Sequence, residues 1–172
     1  MRGVVNLYSE GPADFDSCRV LARGEPVPVD PVEPVPDVEN RLVNGGFEAG
    51  KSAWTDCAAQ TRTQPSDDTY EGAGALTVSS AGCIYQEFAV TPGRDYQLRC
   101  HAKSEGSQYS SLSIQMANAD YIALDAASLP IGQNRYQLYE AMLTAPEQSV
   151  TSAVTLYSED MATFDGCSVR EL

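Results

Sequence analysis

Short segments of alternating apolar and polar residues run through residues 41–172 and constrain the fold most strongly. The longest covers residues 96–103, and shorter ones cover 112–116, 136–138 and 154–156. A period of two gives each strand one buried and one solvated face. Turn-forming sequences separate these segments, among them Asn44-Gly45-Gly46 and Thr91-Pro92-Gly93. Many short strands at this spacing predict an all-β sandwich of two antiparallel sheets.

A sequence repeat spans almost the whole chain. Residues 3–21 (GVVNLYSEGPADFDSCRVL) align without gaps with residues 152–170 (SAVTLYSEDMATFDGCSVR), and ten of the nineteen positions are identical. Self-similarity at a fixed period indicates tandem modules. We therefore predict that residues 1–23 are the terminal hairpin of a preceding repeat or a donor strand. The main module then covers residues 41–172.

Residues 24–40, with the sequence GEPVPVDPVEPVPDVEN, separate these two parts. Proline fixes φ and removes a backbone donor, which disfavours both a helix and a central strand. We predict an extended linker of the polyproline type, with a rise of about 3.1 Å per residue. The alternative is a disordered tail.

The chain has five cysteines, and none forms a Cys-x-x-Cys pair. This spacing disfavours zinc and thioredoxin-like motifs and favours disulfides, hence an extracellular or cell-surface location. Buried free thiols are the alternative. Since Cys18 and Cys167 are equivalent in the repeat, the predicted pairs are Cys57–Cys83 and Cys100–Cys167, with Cys18 unpaired. Five cysteines allow fifteen such arrangements, so the pairing is a hypothesis.

The charge and the single histidine exclude several classes of function. The formal net charge is −13 and the pI is about 4.3, which argues against nucleic acids, anionic membranes and anionic polysaccharides as partners. His101 is the only histidine, so a multi-histidine metal site is excluded. No G-x-S-x-G element is present, and no carboxylate pair stands in a recognisable catalytic motif. We therefore expect no enzymatic activity.

Four sequence elements follow one another in a recognisable order. The first is formed by residues 42–48 (LVNGGFE) with Trp54, and the second lies within residues 84–96. They resemble the opening "L-x-N-G-G-F-E … W" and the "Q-x-x-x-V-x-P-G-x-x-Y" element of the carbohydrate-binding modules appended to xylanases and cellulases. Tyr136 with residues 143–146 (LTAP), and Phe164-Asp165 with Val169, resemble later elements of that family. Tyr136 replaces a tryptophan of the family, and Gly166 replaces its second closing aspartate. The resemblance implies a jelly-roll β-sandwich with a concave and a convex sheet.

The resemblance also implies a function. The leading hypothesis is a non-catalytic module of a larger secreted protein that binds neutral polysaccharide on one sheet face. The candidate ligand-binding residues lie on the polar faces of predicted strands; Trp54 is expected in the core, as in the family. The candidates are Tyr85, Arg99, His101, Gln115, Gln137, Tyr139 and Tyr157. The alternative is that these strands form a convex, merely solvated face.

A structural calcium ion is a further implication of the resemblance. The family holds it where the opening and closing strands meet, and the matching side chains here are Glu48 and Asp165. Calcium prefers several oxygen ligands, to which a Gly-rich turn adds backbone carbonyls. The alternative is that both carboxylates accept backbone hydrogen bonds.

The repeat supports a second functional hypothesis. A spare copy of a terminal hairpin exposes backbone donors and apolar residues, which invites pairing with another chain. The protein would then be a structural repeat, or a filament or adhesin subunit, joined head to tail to neighbouring copies through its N-terminal strand and linker.

Overall fold

Alternating side chains and frequent turns produce ten antiparallel strands in the computed structural model, which describes residues 39–106 and 108–172. The predictions for residues 1–23, for most of the linker at 24–40 and for Cys18 lie outside the described residues. The strands are β1 Thr55–Asp56, β2 Arg62–Ser66, β3 Ala75–Ser79, β4 Gly82–Ala89, β5 Asp95–Glu105, β6 Ser110–Ala117, β7 Ala123–Pro130, β8 Gln137–Thr144, β9 Thr151–Ser158 and β10 Met161–Glu171.

The strands form two five-stranded sheets. Sheet A has the order β1-β4-β9-β6-β7, and sheet B has the order β2-β3-β10-β5-β8. The inward side chains of both sheets form one apolar core that includes Ile84, Leu98, Ile114, Leu156 and Phe164. The predicted all-β jelly-roll sandwich of two antiparallel sheets is therefore confirmed. The described residues contain no helix that is long and apolar enough to cross a membrane.

The opening residues of the module pack against the end of β10. The amide N–H of Cys167 donates to the carbonyl of Gly45 (2.9 Å), and a Cβ at Gly45 would collide with the carbonyl oxygen of Cys167. Only glycine tolerates so close an approach of two backbones. Trp54 is 5% exposed and its ring centroid lies 5.3 Å from that of Phe47, so it belongs to the core as expected.

Two disulfides hold the sandwich, and both match the predicted pairing. Cys57, just after β1, bonds Cys83 in β4, so this bridge lies at the edge of sheet A. Cys100 in β5 bonds Cys167 in β10, and these two residues are 0% and 2% exposed. The second bridge therefore joins two neighbouring strands of sheet B inside the core.

Candidate functional site

The seven predicted ligand-binding residues are divided between the outward surface of sheet A, the outward surface of sheet B and the interior of the sandwich. Tyr85, Gln115 and Tyr157 point outward from sheet A. Arg99 and His101 point outward from sheet B, on the surface opposite to these three. The seven residues therefore do not line one floor.

Gln137 and Tyr139 correct the sequence interpretation most clearly. They lie opposite the buried residues Ala102 and Cys100 in the β5–β8 register, so they face inward, and Tyr139 packs against the core. Cross-strand partners share a face of the sheet, and one residue along the strand reverses that face. The alternation of β8 was recognised, but its phase was misjudged, because the solvated positions of this edge strand include the apolar Leu138 and Met142.

The outward surface of sheet A, which we call face A, has small side chains at its centre. Its cross-strand rows run from β4 through β9 and β6 to β7. One row contains Tyr85, Thr155, Ser113 and Ser128, and the next contains Glu87, Ala153, Gln115 and Ala126. The larger Tyr85 and Glu87 lie on the β4 side, and mostly small residues follow from β9 to β7, so this sheet surface is accessible to an extended ligand.

A depression of about 110 Å³ lies within face A. Glu87 and Gln115 stand on either side of Ala153, with Tyr121 and Thr151 also on the wall. Among the described residues that line the depression, Glu87 is the only carboxylate, and none is a lysine or an arginine. The depression thus presents one carboxylate, one amide and one aromatic ring to a ligand.

Tyr121 is held at the margin of the depression by a compact turn. The side-chain oxygen of Asn118 accepts hydrogen bonds from the N–H groups of Asp120 (3.0 Å) and Ile122 (2.9 Å). The turn gives Tyr121 a φ of 60° and leaves it 70% exposed. A non-glycine residue in the left-handed region is uncommon and occurs often at functional sites. Sequence reasoning missed Tyr121, although the Asn-x-Asp-Tyr sequence is a recognisable side-chain-stabilised turn.

A pair of tyrosines lies at the other end of face A. The rings of Tyr109 and Tyr157 are 6.1 Å apart. A hydrogen bond with Ser128 lowers the pKa of Tyr109, whereas burial, followed by the nearby Glu159 carboxylate, raises the pKa of Tyr157. Of these two residues, sequence reasoning found only Tyr157, because Tyr109 precedes β6 and belongs to no alternating segment.

A loop, residues 67–73, covers the part of the outward surface of sheet B around His101 and Lys103. The ring of Tyr70 stacks on His101 with centroids 3.5 Å apart, and Lys103 pairs with Asp68. Burial is the main cause of a lowered pKa of His101. The hydroxyl of Tyr136 donates to the carbonyl of Asp68 (2.6 Å). Burial strongly raises the pKa of Tyr136. This part of the surface is therefore occupied by the protein's own side chains.

Arg99 lies beside this covered surface in a polar groove of about 240 Å³. Its Nε lies 2.8 Å from Glu140, and the groove also contains Glu71 and Arg170. Both charge signs are present there, so the groove has no clear preference for a charged ligand. Arg99 and His101 are thus separated from face A both by the core and by their surroundings.

Glu48 and Asp165, the predicted calcium ligands, both bind the backbone of the covering loop. The N–H of Ala73 donates to the two oxygens of Glu48 (3.0 and 3.1 Å). The N–H groups of Tyr70 and Glu71 donate to one oxygen of Asp165 (2.8 and 3.0 Å). Within residues 39–106 and 108–172, no three His, Cys, Asp or Glu side chains cluster closely enough to hold a metal ion. The donor set fits the hydrogen-bonding alternative better than a calcium site with its six to eight oxygens.

Calcium remains a prediction of the family resemblance, and thermal unfolding tests it. If Glu48 and Asp165 serve the covering loop alone, the melting temperature is expected to be the same in excess chelator and in millimolar calcium. A lower melting temperature in chelator, restored by calcium but not by magnesium, would establish a structural calcium ion instead. Magnesium is the control because it prefers a stricter octahedral geometry and retains its waters.

Comparison with known proteins identifies the family. The sequence profile of the carbohydrate binding domain family matches residues 39–161, which is most of the chain. The chain therefore belongs to this family of carbohydrate-binding modules, which are generally non-catalytic. A search of curated proteins finds no significant match.

Solved structures with the same fold have low sequence identity. The enzymatically active domain of bacteriophage CBA120 tailspike protein 4 has a TM-score of 0.67 at 16% identity, with 77% of this chain and 21% of that chain covered. A family 16 carbohydrate binding module has a TM-score of 0.62 at 17% identity, with 76% and 99% covered. The CBM22-1-GH10 modules of Clostridium thermocellum xylanase 10B, complexed with xylohexaose, have a TM-score of 0.60 at 17% identity, with 77% and 29% covered. The chain thus corresponds to a whole binding module in one case and to a minor part of a larger protein in the others.

Proposed function

We propose that face A binds a neutral polysaccharide chain without cleaving it. The observation that carries the proposal is the arrangement of this face: small side chains in the centre, with exposed tyrosines at both ends. Binding sites of this kind combine apolar and aromatic surfaces with a few well-placed polar groups. Tyr121 and Tyr157 supply rings for the apolar faces of sugar units, and Gln115 and Glu87 supply hydrogen-bonding partners for hydroxyl groups.

The charge of face A favours an uncharged ligand. The described residues of the depression include one carboxylate and no cationic side chain, so an acidic sugar would meet repulsion without a counter-charge. The same composition disfavours catalysis, because glycoside hydrolysis ordinarily needs two carboxylates about 5 to 9.5 Å apart. Within the described part of the lining, Glu87 has no second acid beside it.

The disulfides and one of the similar structures support proposals on the location of the protein and on the larger protein to which it belongs. The module has two disulfides, and disulfides form and persist in oxidising compartments. This supports secretion or display at the cell surface. Among the similar structures, the xylanase carries its binding module beside a further module. We propose that the present module likewise belongs to a larger extracellular protein and holds it on a polysaccharide.

Binding to a panel of neutral polysaccharides tests this function. We expect affinity for at least one member among β-glucan, xylan, mannan and chitin, and we expect Tyr121→Ala to weaken it about tenfold or more, as for other exposed aromatic anchors. Gln115→Ala should weaken it by a smaller factor. Isothermal titration or affinity electrophoresis measures both effects.

Tyr70→Ala is the matched control for Tyr121→Ala. Tyr70 is also an exposed tyrosine, at 51%, but it lies over sheet B. Its replacement should leave the affinity unchanged. Failure of the unmodified module to bind any member of the panel, or an equal loss in Tyr70→Ala, would contradict the assignment to face A.

A further inference from the structure

The two strands that close the module, β9 and β10, lie at the centre of the sandwich. In sheet A, β9 pairs with β4 on one side and β6 on the other. In sheet B, β10 pairs with β3 and β5. A central strand makes hydrogen bonds along both edges, so neither strand can be added to a finished sheet; each can only fill a gap. The sequence of this strand pair, residues 152–170, is the one that residues 3–21 repeat.

The identical positions of the repeat follow burial in β9 and β10. Of the ten identical positions, eight are buried in the structure: Val154, Leu156, Ser158, Ala162, Phe164, Asp165, Cys167 and Val169. Of the nine that differ, only Ser152 and Thr163 are buried. Eight of the ten buried positions are therefore identical, whereas seven of the nine solvated positions differ. This distribution is expected when both segments meet the same packing requirement, because interiors are close-packed and tolerate little change of volume.

Two of the identical positions specify the surroundings further. Asp165 accepts hydrogen bonds from the covering loop, and Cys167 forms the buried disulfide with Cys100. Their equivalents in the repeat are Asp16 and Cys18. A buried carboxylate without donors is costly, and so is a central strand without neighbours. The partner of residues 3–21 must therefore offer equivalents of that loop and of Cys100.

We infer that residues 3–21 are a second closing strand pair, made to complete another sandwich of this family that has strands equivalent to β1–β8 but no β9 or β10 of its own. This inference concerns assembly and is independent of sugar binding by face A.

The module of this chain can serve as the acceptor in a test. The N–H of Arg41 donates to the carbonyl of Val169 (2.8 Å), so the start of the module lies against the end of β10. If residues 3–21 replace β9 and β10, residues 21–40 need only close a loop back to Arg41. Loop closure of this length costs little more than that of a shorter loop. The resident pair must first be disabled, because it otherwise occupies the gap.

Phe164→Asp in the full chain disables β10 by placing a charge at a 0% exposed position. We expect residues 3–21 to take the place of β9 and β10. The variant should then keep a cooperative thermal transition, and the disulfide partner of Cys100 should change from Cys167 to Cys18. Mass spectrometry of a non-reduced digest detects the linked peptide. A linkage within one chain and a linkage between two exchanged chains both support the inference.

Two double variants separate this result from general misfolding. Phe15→Asp with Phe164→Asp charges the buried position of both copies and should abolish the transition and the Cys18–Cys100 peptide. Tyr8→Asp with Phe164→Asp places the same charge at the equivalent of the partly exposed Tyr157, and should retain both. The inference is overturned if Phe164→Asp alone unfolds the module as completely as the first double variant does. It is also overturned if Cys18 bonds Cys100 regardless of Phe15.

Discussion

Replacement of Asp165 by alanine is expected to lower the free energy of unfolding by about 3 to 5 kcal/mol. The carboxylate is 0% exposed and accepts three backbone hydrogen bonds. Tyr70 and Glu71 donate to one oxygen, and Gly166 donates to the other (2.7 Å). Each buried donor that loses its partner costs about 1 to 3 kcal/mol, and part of this cost is relieved where water can enter.

The position of Asp165 in β10 explains why the loss is large. The register with β5 shifts between Asp165 and Ser168, so the strand bulges there, and Gly166 has a φ of 56°. The bulge and the covering loop share one acceptor. Its removal should loosen both, which includes the stacking of Tyr70 on His101.

Urea unfolding of Asp165→Ala, Asp165→Asn and Asp67→Ala measures this effect. Asp67 is an exposed acid in the same covering loop, so Asp67→Ala should be within about 0.5 kcal/mol of the unmodified protein. Asp165→Asn retains one acceptor oxygen and should fall between the two. A loss below about 1 kcal/mol in Asp165→Ala would show that water satisfies the three donors, and that the carboxylate does not organise the loop.

The fold could be predicted from the sequence because its evidence is local. Alternation in 96–103 and 112–116 indicates strands directly, and Gly45, Gln86 and Tyr96 stand in recognisable elements because the fold needs them. The amide of Gln86 bonds both Val43 and Ala53, and the hydroxyl of Tyr96 accepts from the N–H of Thr91. The equivalence of Cys18 and Cys167 in the repeat set Cys18 aside, and of the three pairings that the other four cysteines allow, the predicted one is observed.

The candidate site could be predicted only in part, because its geometry depends on sheet membership. Gln115 and Arg99 lie on similar alternating segments, yet β6 belongs to sheet A and β5 to sheet B. Consecutive strands often lie on opposite sheets here, and no local pattern reports that. Tyr121 depends on a turn whose importance appears only when its position beside Gln115 is known. The sequence therefore indicated the residue types of the site better than their grouping.

Removal of the Cys100–Cys167 disulfide is the second large expected effect. The double variant Cys100→Ala/Cys167→Ala should lose about 4 kcal/mol, since the bridge closes a sequence separation of 67 residues and constrains the unfolded chain accordingly. The Cys57–Cys83 bridge closes a separation of 26 residues, for which the same relation gives about 3.5 kcal/mol. Entropy alone thus separates the two bridges by less than 1 kcal/mol. Their burial separates them much further.

Reduction under native conditions shows this difference. Cys57 is exposed at the edge of sheet A, so dithiothreitol should open the Cys57–Cys83 bridge while the module stays folded. Cys100 and Cys167 are inaccessible between β5 and β10, so their bridge should react only through unfolding, and its reduction should accelerate with urea. Alkylation followed by peptide mapping at increasing times measures both rates, with Cys57→Ala/Cys83→Ala as the control that isolates the slow one. Equal rates for the two bridges, unaffected by urea, would mean that β10 opens locally and that the end of the module is not held by its core.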